Sequence, residues 1–213
     1  MKKYGLIGYP IAHSMSPELF KKFYKGKYSY DLIEEEDFDT AWKRFTEGGY
    51  SGINVTSPFK EKAFNKSDIQ DEGSKRCKAS NIIVRENGLY HAYNSDFLAV
   101  KKLLEEISPE SVCVVGSGGA GRAAFQAAEV LGLNPSMVHH GQLADTTINT
   151  DMVIFTLPQA AKGYEKIKCN YLLEANYKNP CCKNLPWVKN YIGGEKWLTE
   201  QALTGYPLLT GEK

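Results

Sequence analysis

The chain has 213 residues, of which 42% are hydrophobic and 24% are charged, a composition ordinary for one large globular core or two small ones. Its 26 basic and 25 acidic side chains leave a formal net charge of +1 at pH 7, so no global field favours nucleic acid or an anionic membrane. No run of residues approaches the roughly 18 to 20 apolar positions that span a bilayer, and we expect a cytoplasmic protein with a small-molecule partner.

The cysteines also indicate a cytoplasmic protein. Their number is odd and their spacing matches neither a zinc motif nor a redox pair. We therefore expect reduced, incidental thiols of a cytosolic protein and no metal site. The five cysteines are Cys77, Cys113, Cys169, Cys181 and Cys182.

The chain begins with a short predicted strand at residues 4–7, which ends at Gly8 and Pro10. Ser16 followed by Pro17 is typical of a helix start, with the serine able to cap the helix. This helix is predicted to reach residue 24, and its buried face is predicted to consist of Leu19, Phe20 and Phe23.

Strands and helices alternate through the rest of the first half, which indicates a largely parallel sheet. Asn87-Gly88 favours a tight hairpin turn, because these two residues readily adopt positive φ angles. The predicted elements are a strand at 28–33, a helix at 38–47, a strand at 52–55, paired strands at 82–84 and 89–92, and a helix at 96–107.

The glycine-rich run that follows a predicted strand at 111–115 is the sharpest local signal in the chain. It reads Gly116-Ser117-Gly118-Gly119-Ala120-Gly121 and leads into an alanine-rich helix. Glycines at this junction allow a tight turn and let backbone amides approach a pyrophosphate at the positive end of the helix. The alternative is a glycine-rich turn without a ligand, but the strand–loop–helix context favours a dinucleotide site.

Further strands are predicted at 137–139, 152–157 and 171–175, continuing a second parallel sheet. An acidic residue for a ribose hydroxyl, or a basic one for a 2′-phosphate, is expected about twenty positions after the glycines. His139 and His140 stand there instead. Only residues 141–151 remain for the next crossover, which must therefore be minimal.

Two long motifs resemble signatures of the shikimate dehydrogenase family. They are Gly8-Tyr-Pro-Ile-Ala-His-Ser-Met-Ser-Pro17 and Gly52-Ile-Asn-Val-Thr-Ser-Pro-Phe-Lys60, and the similarity continues through residues 79–81, 94–96, the glycine loop and 195–202. The resemblance implies an α/β fold: an N-terminal open, mostly parallel-sheet substrate domain plus a C-terminal Rossmann-like dinucleotide-binding domain. The implied bounds are 1–98 for shikimate binding, 99–190 for a reduced NADP-binding domain, and 191–213 for a helix returning to the substrate domain.

The resemblance implies a substrate site in the first domain. Ser14 and Ser16 match serines that hydrogen-bond the substrate carboxylate, with turn and cap chemistry as the alternative. Thr56 and Asn81 match contacts to substrate hydroxyls. Thr56 follows one predicted strand and Asn81 precedes another, and open α/β sheets place their ligands at the ends of strands.

Four more side chains complete the site that the resemblance implies. Lys60 and Asp96 match a catalytic pair, which suits the oxidation of an alcohol because a proton leaves as well as a hydride. Gln201 matches a glutamine that reaches the substrate from the C-terminal helix. Tyr177 matches a tyrosine near the substrate, with core packing as the alternative.

Departures from the family pattern fall in the cofactor half. The family usually carries Asn-Arg-Thr where this chain has His139, His140 and Gly141, so the arginine that grips the NADP 2′-phosphate is missing. Phe155-Thr-Leu-Pro158 departs from Asn-Ala-Thr-Pro, and Glu174 replaces an aspartate. We expect NADP to bind to residues 116–121 with both histidines, and NAD remains possible.

These features predict the NADP-dependent, reversible reduction of 3-dehydroshikimate to shikimate, a step toward chorismate and the aromatic amino acids. Two alternatives stay open: a shikimate- or quinate-binding regulatory protein with impaired cofactor binding, and a quinate/shikimate dehydrogenase that uses NAD. The expected partners are small molecules only, without nucleic acid or membrane, and the chain is expected to be a monomer or homodimer.

Overall fold

A computed structural model describes residues 1–212, and Lys213, the last residue of the predicted C-terminal segment, lies outside the described residues. The chain divides into two compact units. The first contains Met1–Ser95 and the segment from Ala202 onward, and the second contains Asp96–Gln201. Each unit has its own mostly parallel sheet with helices, which confirms the predicted α/β fold class.

The first unit is built on a six-stranded sheet. Its strands are β1 (Lys3–Gly8), β2 (Ser29–Glu34), β3 (Gly52–Val55), β4 (Ile69–Gln70), β5 (Ile82–Glu86) and β6 (Leu89–Tyr93). They lie in the order β2-β1-β3-β5-β6-β4, and only β5 runs antiparallel to its neighbours. The carboxyl ends of β1, β3 and β6 therefore meet the amino end of β5 along one edge, called here the polar edge.

The hairpin between β5 and β6 forms at the predicted position. Asn87 and Gly88 have φ angles of 50° and 82°, the two positive values that a type I′ turn requires. Glu86 pairs with Leu89 across this turn. The turn thereby sets the register that carries Ile82 opposite Tyr93 at the polar edge.

Four helices lie wholly within the first unit: α1 (Ser16–Phe23), α2 (Phe38–Glu47), α3 (Lys60–Lys66) and α4 (Glu72–Cys77). The start and the buried face of helix α2 both follow from its sequence. The Asp37 side chain accepts a hydrogen bond from the Thr40 N–H at 2.8 Å and caps the helix. Apolar residues at helical spacing then face the sheet, namely Phe38, Ala41, Trp42 and Phe45.

Helix α1 departs from two predictions. Met15, not Ser16, occupies the N-cap, and the Ser14 hydroxyl accepts a hydrogen bond from the Ser16 N–H at 3.2 Å. Phe20 is buried as expected, but Phe23 is 41% exposed. The helix ends at Phe23, whose ring packs edge-on against Tyr206 at the surface instead of entering the core.

The second unit contains a five-stranded sheet in which all neighbouring strands are parallel. Its strands are β7 (Val112–Val115), β8 (Ser136–Val138), β9 (Asn149–Phe155), β10 (Lys168–Glu174) and β11 (Val188–Ile192), in the order β11-β10-β9-β7-β8. Strand β7 and the last four residues of β9 are apolar and buried on both faces, as in other parallel sheets.

Three longer helices complete the fold: α5 (Ser95–Ile107), α6 (Gly119–Val130) and α7 (Gly194–Thr210). The shortened crossover after β8 is a single 3₁₀ helix at His140–Asp145, followed later by a 3₁₀ turn at Tyr164–Lys166. In residues 1–212, no helix is long and apolar enough to cross a lipid bilayer.

Candidate active site

Backbone hydrogen bonds draw several loop segments together at the polar edge of the first sheet. The Thr56 N–H, directly after β3, donates to the Ile7 carbonyl at 2.9 Å, and the Val55 N–H donates to the Asn81 carbonyl at 2.9 Å. The loop after β1 carries Ser14 and leads into α1. The polar edge thus collects five predicted site residues of the first unit: Ser14, Ser16, Thr56, Lys60 and Asn81.

The two predicted carboxylate-binding serines lie side by side. The Ser14 hydroxyl donates to the Ser16 hydroxyl at 3.1 Å and accepts from the Ser16 backbone N–H. Both side chains are partly buried. Two neighbouring hydroxyls at the start of a helix provide donors for the two oxygens of a carboxylate.

Tyr30 and Asn54 connect the serines to the middle of the polar edge. The Tyr30 hydroxyl donates to Asn54 Oδ1 at 2.8 Å and shares a hydrogen bond with the Ser16 side chain. Asn54 Nδ2 in turn donates to the Asn81 carbonyl at 3.3 Å. Burial holds the pKa of Tyr30 well above its usual range, so the phenol stays neutral and serves as a hydrogen-bonding link.

Sequence reasoning missed both linking residues. Their signal was present in strand alternation, because Tyr30 in β2 and Asn54 in β3 both pair with even-numbered residues of β1 and so lie on the same face. A lone amide inside the apolar strand Gly52–Val55 also needs hydrogen-bond partners if it is buried.

A backbone hydrogen bond brings the start of α3, at Lys60, close to the segment that carries Asn81. Lys60 is the first residue of α3, and its carbonyl accepts a hydrogen bond from the Ser80 N–H at 3.0 Å. Asn81 is only 1% exposed, and both ends of its side-chain amide contact Ser95: Nδ2 donates to Ser95 Oγ at 3.0 Å, and Oδ1 accepts from the Ser95 N–H at 2.8 Å. Asp96 follows Ser95 in the chain, begins the second unit and is 6% exposed.

The glycine loop of the second unit has the geometry that a pyrophosphate requires. Gly116 has a φ of 103°, and a Cβ at Gly121 would overlap the Gly116 carbonyl oxygen, so strand and helix pack as only glycine permits. A Cβ at Gly118 would meet nothing within 4 Å. No side chain caps the helix at Gly118, which leaves its first-turn amides for an anion.

The remaining residues of the glycine loop lie at the surface or in the first turn of α6. Ser117 is exposed, while Gly119 and Ala120 are partly buried in the first turn of α6. The Thr156 hydroxyl, after β9, donates to the Val115 carbonyl at 2.9 Å and supports the neighbouring turn. This strand–loop–helix arrangement is the one in which dinucleotide-binding folds hold a phosphate.

His139 and His140 are exposed directly after β8, at the same edge of the second sheet as the glycine loop. The His139 N–H donates to Gln142 Oε1 at 3.1 Å, which fixes the start of the 3₁₀ helix. No arginine occurs in residues 136–145. Two imidazoles therefore stand where the resemblance implies the fixed, forked cation that suits a 2′-phosphate.

Tyr177 and Gln201 lie in the second unit. Tyr177 follows β10, is partly buried, and burial raises its pKa above the usual value. Gln201 is the last residue of this unit and is partly buried on α7. Beside it, Glu200 accepts hydrogen bonds from Lys102 Nζ at 2.6 Å and Lys196 Nζ at 2.8 Å, and these bonds hold the pKa of Glu200 below its usual value.

The fold and these sites define a two-unit α/β protein that combines a polar sheet edge with a Rossmann-like dinucleotide unit. Residues 6–83 match the family model described as the shikimate dehydrogenase substrate binding domain. The chain belongs to the shikimate dehydrogenase family.

Comparisons with individual proteins agree. Shikimate dehydrogenase from Thermotoga petrophila is 34% identical over 173 residues, covering 78% of this chain and 66% of the relative. Shikimate dehydrogenase (NADP(+)) from Thermotoga maritima has the same identity and coverage. The chain thus aligns with just under two thirds of the length of each of these two relatives. The crystal structure of shikimate dehydrogenase from Thermotoga maritima superposes with a TM-score of 0.81 at 26% identity, over 99% of this chain and 94% of that chain.

Proposed function

We propose that this protein catalyses the NADP-dependent, reversible reduction of 3-dehydroshikimate to shikimate. The polar edge of the first unit carries the proposal, because a connected hydrogen-bond framework there presents paired hydroxyls and an amide, and a backbone hydrogen bond from Ser80 holds Lys60 close to Asn81. Those groups suit an acid with several ring hydroxyls. The name of the Thermotoga maritima relative, shikimate dehydrogenase (NADP(+)), supports the reaction and the cofactor.

In this proposal, Ser14 and Ser16 bind the substrate carboxylate. The Ser14 hydroxyl then turns its proton from Ser16 to one carboxylate oxygen, and the Ser16 hydroxyl turns its proton from Tyr30 to the other, while the Tyr30 hydroxyl can donate to Ser16 in return. Thr56 and Asn81 orient the ring hydroxyls, and Tyr177 and Gln201 also contact the substrate. The Ser95 contacts keep the Asn81 amide in one orientation, which fixes which of its ends the substrate meets.

Lys60 and Asp96 handle the proton. A bound nicotinamide dinucleotide supplies or accepts the hydride. When shikimate is oxidised, the reacting hydroxyl also loses a proton, and Lys60 and Asp96 accept and relay it. Asp96 is almost fully buried, so its carboxylate interacts strongly with any charge that develops beside it.

Residues 116–121 would hold the pyrophosphate, and His139 and His140 would face the adenosine 2′-phosphate. Because a histidine carries its charge only part of the time near neutral pH, we propose that NADP is preferred weakly and that NAD is also accepted. Functionally, residues 1–98 bind shikimate, 99–190 bind the cofactor, and the segment from 191 returns to the substrate domain. We place the enzyme in the cytoplasm as a monomer or homodimer with small-molecule partners only.

One observation favours a second candidate, a shikimate- or quinate-binding regulatory protein. The crossover after β8 is a single 3₁₀ helix at His140–Asp145 without an arginine. A cofactor held too weakly would leave the polar edge as a binding site alone.

Steady-state assays test the proposal. Wild-type protein is mixed with shikimate or quinate and with NADP or NAD, and the absorbance of the reduced cofactor is followed. Lys60→Ala and Asp96→Asn should each lower kcat about 10²- to 10⁴-fold, the usual contribution of a positioned acid–base group. The exposed Lys62 on α3 provides the matched control. Equal turnover by Lys60→Ala and Lys62→Ala would refute the assigned role of Lys60.

A further inference from the structure

The loop after β10 folds back onto a buried carboxylate. Glu174 is fully buried, and Oε1 accepts a hydrogen bond from the Cys181 N–H at 2.7 Å. Its Oε2 accepts from the Cys182 N–H at 3.1 Å and from the Tyr191 hydroxyl at 2.8 Å. Among the described residues, no lysine, arginine or histidine pairs with this carboxylate. A buried anion that has hydrogen bonds but no counter-charge favours a cation.

Two thiols lie beside Glu174. Cys181 and Cys182 are neighbours in the chain, yet the bend of the loop places their sulphur atoms 3.7 Å apart. The two sulphurs and one carboxylate oxygen all lie within 4.8 Å of one another. Cys182 is buried, whereas Cys181 is partly exposed, so solvent reaches the cluster from one side.

We propose that Glu174, Cys181 and Cys182 form a binding site for a thiophilic divalent cation, with Zn²⁺ as the best-fitting ion. Zinc binds thiolates at about 2.3 Å in tetrahedral geometry, which separates two sulphur ligands by about 3.8 Å. The observed 3.7 Å matches that separation. Sulphur ligands with one carboxylate exclude Mg²⁺ and Ca²⁺, which take oxygen ligands.

The carboxylate is already oriented for this role. An ionised carboxylate has about four acceptor positions, and three are taken by the two amides and the Tyr191 hydroxyl, of which only one falls on Oε1. The Cys181 thiol also hydrogen-bonds to Glu174, and when this thiol loses its proton to bind the metal, the acceptor position that it occupied becomes available to the metal. Outer hydrogen bonds of this kind orient metal ligands in known sites. Water from the exposed side of Cys181 supplies the fourth ligand.

Sequence spacing alone predicts no metal site here, since adjacent cysteines match no zinc motif. The site arises because the loop returns from residue 175 to residue 182 over the end of β10. Tyr177 lies inside this loop. Bound metal should therefore stabilise the loop and the second unit, without taking part in the proposed reaction.

Metal titration of the 213-residue chain tests this site. Reduced protein, cleared of metal by a chelator, is titrated with Zn²⁺ in competition with a chromophoric chelator and, separately, with Cd²⁺ while the ultraviolet thiolate-to-metal band is recorded. We expect one high-affinity ion per chain, a thiolate band with Cd²⁺, and a rise in melting temperature with Zn²⁺. Cys181→Ala and Glu174→Gln should each weaken binding more than about tenfold.

The controls separate this site from other thiols and from surface histidines. Cys169→Ala removes a buried cysteine of β10 itself and should bind Zn²⁺ like wild type. Circular dichroism checks the fold of each variant, and the partly exposed Cys181 suffices if the buried substitutions fail to fold. Wild-type binding no tighter than that of Cys181→Ala, absence of the Cd²⁺ band, or loss of binding only in His139→Ala or His140→Ala would overturn the proposal.

Discussion

The Tyr30 hydroxyl donates a hydrogen bond to Asn54 Oδ1 at 2.8 Å and is also hydrogen-bonded to the Ser16 side chain. Tyr30 therefore supports the serine pair from behind and links it, through Asn54, to the backbone of Asn81. A hydroxyl held by a fixed neighbour loses less rotational freedom when it binds a carboxylate.

Tyr30→Phe should raise KM for shikimate about twofold to tenfold, since one lost hydrogen bond costs about 0.5 to 1.5 kcal/mol. We expect an unchanged kcat, because the proposal places Tyr30 behind the serines that bind the carboxylate and assigns the proton to Lys60 and Asp96. Steady-state kinetics measures both. Tyr50→Phe is the matched control, since the Tyr50 hydroxyl donates to Asp31 at 2.9 Å just before the amino end of β3, away from the polar edge. Equal KM values for both variants would remove Tyr30 from the site.

Replacing both serines tests the carboxylate position. Ser14→Ala combined with Ser16→Ala should raise KM for shikimate more than tenfold, because two charge-assisted hydrogen bonds of about 1.5 to 3 kcal/mol each are lost. Circular dichroism should stay unchanged, since neither hydroxyl enters the core. An unaltered KM in this folded variant would place the carboxylate elsewhere.

Much of this architecture could be predicted from local patterns. The hairpin at Asn87-Gly88 and the glycine loop at 116–121 depend on φ angles that few other residues adopt, so sequence alone locates them. Helix α2 is also predictable from sequence, because its apolar residues recur at helical spacing after an aspartate that caps the helix.

Other features depend on tertiary contacts. The short helices α3 and α4 went unpredicted, since each has too few residues to show a clear hydrophobic period. Tyr30 and Asn54 meet only through strand register, and Cys181 meets Glu174 only through a returning loop. The roles of all the predicted site residues, Lys60 and Asp96 included, stay predictions until they are assayed.

The Glu200 ion pairs should make stability depend on pH. The pKa of Glu200 lies below its usual value of 4.5, because Lys102 and Lys196 donate to the carboxylate. A depressed folded-state pKa stabilises the fold fully above the unfolded value, and this contribution is lost as pH falls below 4.5 toward the folded value.

Glu200→Gln should therefore lower the free energy of unfolding by about 1 to 2 kcal/mol at pH 7 and by much less at pH 3. Urea unfolding at both pH values measures the difference. Glu105→Gln, at an exposed ion pair with Lys101, should change little at either pH. A Glu200→Gln deficit that is equal at both pH values would show that the ion pairs do not stabilise the fold.

His140→Arg tests the cofactor assignment. If residue 140 faces the 2′-phosphate, a permanent, forked cation there should raise the ratio of kcat/KM for NADP to that for NAD about tenfold. The value of kcat/KM for NAD should change little. An unchanged ratio would mean that the phosphate lies beyond the reach of this residue.

A single-turnover reaction with protein in excess over shikimate tests the central claim most directly, because it requires the polar edge, the Lys60–Asp96 pair and the glycine loop to act together. Excess NADP is present, and the absorbance of reduced cofactor is compared with chromatographic recovery of 3-dehydroshikimate. An enzyme should form the two products in equal amounts until the reaction reaches equilibrium, and Lys60→Ala should slow their formation about 10²-fold or more. Shikimate binding detected by calorimetry, without any reduced cofactor or 3-dehydroshikimate, would contradict the enzymatic account and favour the binding protein.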